Sequence, residues 1–352
     1  MPEDTARFDQ YHLCKRQRPV NLQECDEGLF AAEYTRQIGP SRIDRAQTVR
    51  ILGGEILTKS GPPPALIPAD IYELVRNFIN TPRLGLRAQL QSSVRHLVAA
   101  LLPRASRDSG IWVANEWTHG YFHWLTEALT RIEMARLSSV EGEVLLPAEY
   151  RKFSFIGQSL DYLRVPYQYL PARRLAAVRE LLLPSSEIVT GNFNCFLLGS
   201  LAARFRLAAQ SEVTSSQVGG RRIWVSRARA NKRKIANEEE LRPILAAHGF
   251  EVVNLEDRTF SEQVELFRHT SIIAGLHGAG LTNMLFMPTG ANVVEIRRRG
   301  DTHSNCYYSM ASSLKLNYYY LLADPLSADH HADDCLLPTA ALHNLLEQIR
   351  SV

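Results

Sequence analysis

The segment 271–296, SIIAGLHGAGLTNMLFMPTGANVVEI, constrains the fold more than any other part of this chain. Residues 271–274 form a short apolar run, which is typical of a strand buried on both faces. A turn with three glycines follows, then a predicted helix over 281–287 that ends before Pro288, and a second predicted strand over 291–296. A strand, a helix and a strand in this order predict a parallel sheet in an α/β fold.

The glycine turn predicts an anion-binding site. We expect Gly275, Gly278 and Gly280 to give the backbone the freedom to turn sharply. The amides of Gly278, Ala279 and Gly280 and the positive end of the helix would then point at one phosphate or diphosphate, to which His277 could donate. Similar turns occur in α/β domains that bind no phosphate, so the turn alone leaves both interpretations open.

The spacing of the glycines argues against two common nucleotide motifs. The dinucleotide pattern G-x-G-x-x-G begins at Gly278 and Gly280, but Asn283 stands where the third glycine belongs. No G-K-S or G-K-T is present for a Walker A loop. The turn therefore favours a nucleotide diphosphate bound in another way than in NAD enzymes or P-loop ATPases. Glu295, near the end of the next strand, is predicted to hold ribose hydroxyls.

Composition narrows the class of protein. The 352 residues are enough for about two domains, and a net charge of +3 does not demand a nucleic-acid partner. The five cysteines are scattered without a C-x-x-C pair, which indicates neither a disulfide framework nor a zinc site. The first 19 residues lack the apolar core of a signal peptide, and no apolar run is long enough to span a membrane. We therefore expect a cytoplasmic protein, with peripheral contact at the inner membrane face as an option.

Patterning predicts an N-terminal domain over 1–200 and a C-terminal domain over 201–352, joined near 195–220. The first domain includes a hairpin over 48–58 around Gly53 and Gly54, a proline-rich loop over 61–68 and a helix over 71–80. Strands are then predicted at 111–114, 142–146, 167–170, 222–226, 250–255 and 317–322. Helices are predicted at 119–137, 148–163, 237–248, 259–268 and 338–349, with the last one able to pack back on the first domain. Either Thr259 or Ser261 is the predicted N-cap of the helix that ends at Arg268.

A basic cluster follows the predicted strand over 222–226. The stretch 225–235, VSRARANKRKI, would face the same crevice as the glycine turn if its strand lies beside that turn. Guanidinium groups suit bidentate phosphate contacts, whereas the alternative is a solvated basic loop. Nucleic acid is disfavoured because acids balance the basic residues elsewhere. The basic residues of the cluster are Arg227, Arg229, Lys232, Arg233 and Lys234.

A second candidate site lies in the stretch 112–131, WVANEWTHGYFHWLTEALTR. Asn115 ends a predicted strand, and His119, His123 and Glu127 fall on one face of the following helix. A His–Glu pair one turn apart can act as a general base and its orienter. Surface histidines or a buried, hydrogen-bonded histidine are the alternatives. A metal is disfavoured because Gly120 stands where H-E-x-x-H requires glutamate.

Three blocks of the chain together resemble the glycosyltransferase family 61 proteins of the capsular-polysaccharide and plant xylan type. They read N-x7-H-W-L-x-E over 115–127, V-S-R-x5-R-K-I-x-N-E-E-E-L over 225–241, and G-L-H-G-A-G-L-T-N-M-L-F-M-P over 275–288 with V-E-I at 294–296. Their order and spacing make the resemblance more specific than any single motif. It covers residues 110–325.

The resemblance implies a GT-B architecture, in which two Rossmann-like α/β domains face each other across a cleft. It also implies an inverting, metal-independent transfer from a nucleotide sugar to a glycan or glycolipid acceptor in surface or capsular polysaccharide synthesis. No cofactor is expected, and the lack of a D-x-D motif agrees with a donor site that holds no metal. His123 is the expected base and Glu127 its orienter, with exchanged roles as an option, and Asn115 joins them. The expected donor-binding residues are Arg227, Lys234, His277, Gly278, Ala279, Gly280, Asn283 and Glu295.

Two other functions stay open at this point. One is a non-catalytic protein on the same fold that binds a nucleotide sugar or a glycan, which the intact His123 and Glu127 disfavour. The other is an NAD-dependent oxidoreductase, which Asn283 and the position of Glu295 disfavour.

Overall fold

The computed structural model describes residues 8, 10–52, 54–57, 104–172, 175–186, 190–210, 220–301, 304–327 and 334–350. The loop predicted over 61–68 and the helix predicted over 71–80 lie outside these ranges. The chain divides into two compact units, one of Met1–Gln10 and Pro40–Glu187, the other of Tyr11–Gly39 and Ile188–Val352. This division differs from the predicted boundary at residue 200, since residues 11–39 and 188–200 belong with the second unit.

A mixed sheet forms the first unit. Its described strands are β3 (Ser41–Leu52), β4 (Glu55–Leu57), β5 (Arg104–Trp112), β6 (Val144–Leu146), β7 (Tyr167–Tyr169) and β8 (Leu175–Ser186). They lie in the order β4-β3-β8-β5-β6-β7. β5 runs parallel to β8 and β6, and β6 parallel to β7, whereas β3 pairs antiparallel with β4 and β8. The predicted hairpin is confirmed for its described residues: Leu52 lies opposite Glu55, and Gly54 has a φ of 85°, which glycine adopts without strain.

The central strand β8 is not predicted from the sequence. Pro184 argues against a central strand because proline cannot donate to a ladder. In the structure Pro184 lies opposite Ile43, close to where β8 ends at Ser186. The apolar residues before Pro184 therefore favour the strand, and the proline is tolerated because it lies near the end of β8.

One interrupted helix carries the candidate base of the first unit. The predicted helix over 119–137 is confirmed from Tyr121 to Leu137, but a π turn over Trp124–Ala128 separates Tyr121–His123 from Leu129–Leu137. In the π turn the amide of Leu129 donates to the carbonyl of Trp124. The buried indole of Trp124 donates to Ser159 at 2.8 Å and ties this helix to the next one. The predicted helix over 148–163 is confirmed as a 3₁₀ turn, Ala148–Lys152, and a helix, Ser154–Tyr162.

The second unit contains the predicted parallel sheet. Its described strands are β9 (Arg221–Val225), β10 (Phe250–Val253), β11 (Thr270–Leu276), β12 (Asn292–Arg298), β13 (Asn317–Pro325) and β14 (Cys335–Leu336). They lie in the order β10-β9-β11-β12-β13-β14. All neighbours run parallel except β14, which is antiparallel to β13. A separate antiparallel pair of strands, β1 (His12–Lys15) and β2 (Thr35–Ile38), belongs to the same unit.

Helices between these strands complete the second unit. The predicted start at Thr259 is confirmed, because Thr259 and Glu262 form a capping box. The final helix belongs to the second unit, where Leu342 and Leu345 share a buried cluster with Trp224. None of the described helices is long and apolar enough to cross a bilayer. The helices are Glu27–Phe30, Cys195–Gln210, Glu238–Ala247, Phe260–Arg268, Cys306–Ser313 and Thr339–Arg350, with 3₁₀ turns at Glu24–Asp26, Ala31–Glu33, Leu255–Asp257 and Ala279–Phe286.

Candidate donor and base sites

The strand order of the second unit creates a switch point between β9 and β11. After β9 the chain forms β10 on one side, then crosses over to form β11 on the other side of β9. In open parallel sheets the crevice for a ligand lies at the carboxyl ends of two such strands. β9 ends at Val225 and β11 at Leu276, so Arg227 and His277 both emerge at this crevice.

The glycines of the turn make room for neighbouring groups. The prediction that the turn needs the backbone freedom of glycine is wrong, because none of the three glycines has a left-handed φ, and Gly278 is extended at φ 167°. A Cβ added at Gly275 would lie 3.1 Å from the carbonyl oxygen of Val225, and one at Gly280 would lie 2.7 Å from Val225 Cγ1. A Cβ at Gly278 would lie 2.6 Å from Nη1 of Arg227. Absent side chains therefore let the end of β9 and the Arg227 guanidinium lie against the turn.

The guanidinium of Arg227 is held in place by backbone carbonyls. Its Nε donates to the carbonyl of Arg233 at 2.8 Å, and Nη2 makes a longer contact of 3.4 Å with that of Lys232. Burial, followed by the nearby charge of Arg233, lowers the pKa of Arg227, although arginine remains protonated at neutral pH. A bound anion would offset both the lost hydration and the repulsion between the two cations.

Among the remaining basic residues, the structure favours Arg233 as the partner of Arg227. Arg233 has a left-handed φ of 57°, and its Nε is buried without a hydrogen-bond acceptor in the described part of the chain. Strained residues with unsatisfied groups often belong to ligand sites. Arg229, in contrast, is paired with Asp257. Lys234 has its amide bound to Asp334 at 2.8 Å, and its side chain is half-buried.

Glu238, in the acidic part of the motif over 225–241, positions the basic loop that follows β9. Glu238 is buried, and its carboxylate accepts hydrogen bonds from Ser226 at 2.5 Å and from the indole of Trp224 at 3.1 Å. Ser226 also accepts from the amide of Ala228 at 3.1 Å. The S-R and N-E-E-E parts of the motif therefore contact each other and fix where the loop leaves β9.

His277 belongs to a buried hydrogen-bonded chain. Its Nδ1 donates to Glu295, whose other carboxylate oxygen accepts from the hydroxyl of Tyr318. The His277 side chain is 22% exposed, whereas that of Glu295 is fully buried. Because Nδ1 is engaged, Nε2 is the imidazole nitrogen that remains for a ligand.

The buried carboxylate of Glu295 is kept ionised by its neighbours. Burial acts to raise its pKa, but the charges of His277 and Arg297 and the hydrogen bonds from His277 and Tyr318 outweigh burial, and the net pKa is lowered. Burial, then the charge of Glu295, raises the pKa of Tyr318 well above its ordinary value. Glu295 therefore lies beneath His277 and is inaccessible to a ribose, which corrects its expected position at the ligand surface.

The 3₁₀ helix Ala279–Phe286 supplies the amides predicted for the anion site. The first hydrogen bond of this helix runs from the amide of Leu281 to the carbonyl of Gly278 at 3.0 Å. The amides of Ala279 and Gly280 therefore have no partner within the helix. Asn283 is fully buried and donates to the carbonyl of Gly280 at 3.0 Å. Its expected direct contact with the donor is therefore replaced by a bond that shapes the turn.

In the first unit the predicted base and orienter are in contact. Nδ1 of His123 donates to Oε1 of Glu127 at 2.8 Å, and both side chains are partly exposed. This leaves Nε2 of His123 as the nitrogen available to take a proton. The carboxamide oxygen of Asn115 accepts from the amides of Trp117 and Thr118, each at 2.9 Å. Asn115 thus shapes the loop before the helix.

Two aromatic residues near these histidines complete the description of both sites. Trp117 is 57% exposed, and its ring centroid lies 5.8 Å from that of His123. Tyr307 is buried, with its ring 4.9 Å from that of His277. His119 lies outside the helix, against Phe153, so the predicted shared face with His123 is wrong. Sequence reasoning missed Tyr307 and Tyr318 because no local pattern links them to their partners, and the Tyr318–Glu295 bond, for example, spans 23 residues.

Comparison with known proteins places the candidate residues within one family match. Residues 121–294 match the sequence profile of the family Glycosyltransferase 61. This segment of the chain belongs to glycosyltransferase family 61. It includes the His123–Glu127 pair, the basic loop after β9 and the turn that carries His277.

The chain matches only a part of each of three named relatives. Protein O-linked-mannose beta-1,4-N-acetylglucosaminyltransferase 2 of Homo sapiens is 42% identical over 238 residues, 62% of this chain and 40% of the relative. The protein of the same name in Xenopus laevis is 31% identical over 147 residues, 41% and 23% of the two chains. The EGF domain-specific O-linked N-acetylglucosamine transferase of Drosophila melanogaster is 36% identical over 100 residues, 28% and 19%. The chain thus spans less than half the length of these relatives.

Proposed function

We propose that this chain transfers a sugar from a nucleoside-diphosphate donor to a hydroxyl group of a glycan, with inversion and without a metal ion at the donor. The donor binds in the second unit, at the carboxyl ends of β9 and β11. The observation that carries this assignment is the guanidinium of Arg227, which is partly desolvated and lies against Gly278 beside His277.

Cations in this crevice stabilise the departing diphosphate. Arg227 and Arg233 neutralise negative charge on the phosphates, and Nε2 of His277 donates to them. The first amides of the 3₁₀ helix add donors that are fixed before the reaction begins. Preorganised donors aimed at developing charge take the role that Mg²⁺ has in metal-dependent transferases.

His123 is the proposed general base for the acceptor. Its Nε2 takes the proton of the acceptor hydroxyl as the oxygen attacks the anomeric carbon opposite the leaving diphosphate. Glu127 holds the imidazole through Nδ1 and stabilises the imidazolium that forms. The exposed indole of Trp117 offers the apolar surface on which a sugar ring of the acceptor packs.

N-acetylglucosamine is the first donor sugar to test, because the names of the relatives carry it. Those names also refer to O-linked glycans, so glycans on proteins belong beside surface or capsular polysaccharide in the acceptor panel. The GT-B arrangement, the cytoplasmic setting and the glycolipid acceptor stay predictions.

A binding experiment tests the donor site. The melting temperature is measured in EDTA with UDP, GDP, CDP, UDP-N-acetylglucosamine and NAD. A ligand at about 100 times its Kd stabilises the folded state by about 2.7 kcal/mol. We expect one nucleoside diphosphate to raise the melting temperature of the wild type. This rise should be lost in Arg227→Ala and retained in Arg229→Ala. A shift with NAD alone would support an oxidoreductase instead.

A turnover experiment then separates the transferase from a binding protein. Release of the nucleoside diphosphate and mass gain of the acceptor are followed for the wild type and His123→Ala. We expect His123→Ala to keep the thermal shift and to lose turnover. A wild type that binds the nucleotide sugar but transfers nothing to any acceptor in the panel would favour the non-catalytic alternative.

A further inference from the structure

Three side chains of the second unit converge outside the sites described above. They are His248, at the C-terminal end of the helix Glu238–Ala247, and His343 and Glu347 on the final helix. The potential ligand atoms of the three residues all lie within 4.8 Å of one another. Within the described ranges this is the one group of three His, Cys, Asp or Glu side chains with ligand atoms so close.

We propose that these three residues bind one divalent transition-metal ion, with zinc as the best match. His248 Nε2 lies 3.4 Å from His343 Nδ1 and 3.4 Å from a carboxylate oxygen of Glu347. Both distances are at the long limit for hydrogen bonds. Two ligands of a tetrahedral zinc, with Zn–N bonds of about 2.0–2.1 Å, lie about 3.3–3.4 Å apart. The three groups therefore have the spacing of ligands around a common ion.

The local framework fits a cation. His343 and Glu347 are one helical turn apart and project from the same face of the final helix. The side chain of His248 is 2% exposed. The backbone carbonyl of His248 accepts a hydrogen bond from Arg222 at 3.0 Å, which fixes the residue. His248 is also the C-cap of its helix, where the negative end of the helix dipole favours positive charge. His343 and Glu347 are exposed, so water can complete a fourth position.

This ion would hold the fold together without taking part in sugar transfer. His248 precedes β10, which starts at Phe250 and runs parallel to β9. It therefore lies at the amino-terminal edge of the sheet, whereas Arg227 and His277 lie at the carboxyl-terminal edge. The ion would tie the final helix to the helix Glu238–Ala247, which share a buried apolar cluster through Leu241 and Leu342.

Zinc binding to the full chain without a histidine tag tests the site. The protein is stripped with EDTA, dialysed, and titrated with zinc in competition with a chromophoric chelator, and Co²⁺ is added separately to look for the absorption bands of a tetrahedral site. We expect one equivalent to bind and to raise the melting temperature. Even outer-shell residues change metal affinity 10–100-fold, so His343→Ala and Glu347→Gln, both at exposed positions, should weaken binding at least about tenfold.

Asn344→Ala and Gln348→Ala are the matched controls, because both residues are exposed on the same helix and neither belongs to the cluster. They should bind zinc as the wild type does. Absence of zinc binding, or binding that neither His343→Ala nor Glu347→Gln weakens, would overturn the site. The result is independent of the donor proposal, because nucleotide binding is measured in EDTA.

Discussion

Nδ1 of His277 donates a hydrogen bond to Glu295, a fully buried residue of the neighbouring strand. The first unit contains the same arrangement, in which Nδ1 of His123 donates to Glu127. In each pair the carboxylate selects the tautomer and orientation of the imidazole and leaves Nε2 for the ligand or the reacting proton. The two pairs differ in burial, since Glu127 is partly exposed.

Glu295→Gln is expected to lower both donor affinity and stability. The substitution removes the negative charge that fixes His277 and that strengthens the hydrogen bond from Tyr318. A hydrogen bond to a buried charged group contributes about 1.5–3 kcal/mol to the free energy of unfolding. The lowered pKa of Glu295 in the folded state means that this contribution is present above its ordinary value of 4.5 and is lost as the pH falls through the folded-state pKa. Urea unfolding of the wild type and of Glu295→Gln gives the free energy of unfolding at pH 7 and in acid. The difference between the two proteins should be smaller in acid.

Tyr318→Phe is the control for that variant. It removes one donor to Glu295 and leaves the charge and the His277 bond in place. We expect nucleotide affinity close to that of the wild type, measured by calorimetry. Equal loss of affinity in both variants would contradict the positioning of His277 by Glu295.

Three glycine-to-alanine variants should separate binding from stability. In Gly278→Ala the new Cβ would meet the tip of the Arg227 side chain, so we expect weaker nucleotide binding and a small change in stability. In Gly280→Ala it would meet Val225 and Leu255 in the core, which costs about 1–3 kcal/mol as overpacking does. Gly199 has nothing within 4 Å and lies inside a helix, so Gly199→Ala should stabilise by about 0.5–1 kcal/mol. Thermal unfolding and calorimetry measure the two effects.

Among the basic residues, Arg233→Ala is expected to weaken nucleotide binding strongly, and Arg229→Ala weakly. Arg233 lies close enough to lower the pKa of Arg227 through its charge, whereas Arg229 is neutralised by Asp257 at the surface. A charge-assisted hydrogen bond contributes about 1.5–3 kcal/mol, which corresponds to more than tenfold in Kd. Calorimetric titration with the nucleoside diphosphate measures both variants, and equal Kd values would remove Arg233 from the site.

His123→Ala should lower kcat by about 10²–10⁴-fold, the usual contribution of a general base. Glu127→Gln should lower it less, because the amide oxygen can still accept from Nδ1. His119→Ala is the control, since His119 lies against Phe153 and outside the pair. Steady-state kinetics with saturating donor measure the three variants, and unchanged turnover in His123→Ala would remove this residue from the chemistry.

Cys195 should be the cysteine whose reactivity changes near neutral pH. A hydrogen bond from Cys14, together with the charge of His12 and opposed by burial, lowers the pKa of Cys195 to about 6. The thiolate therefore forms as the pH rises through about 6, whereas burial raises the pKa of Cys306 to about 12 and that of Cys335 to about 11. Iodoacetamide labelling followed by mass spectrometry should show the Cys195 rate levelling above pH 7. In Cys14→Ala this rise should move to higher pH.

Much of the candidate site follows from local sequence because its residues lie directly after strands. Arg227 follows β9 and His277 follows β11, and parallel neighbours place their carboxyl ends at one edge. The spacing of four residues likewise brings His123 and Glu127 together on one helix. Local periodicity therefore suffices for the α/β class, for the parallel sheet and for the His123–Glu127 pair.

Tertiary structure alone decided the partners of these residues and the roles that they can have. Glu295 is buried beneath His277, Arg233 rather than Arg229 accompanies Arg227, and the glycines serve close packing, because residues of other strands and loops fill the space around them. The cluster of His248, His343 and Glu347 joins positions about 95 residues apart. Periodicity records which face of an element is buried, but long-range packing determines which side chains meet there.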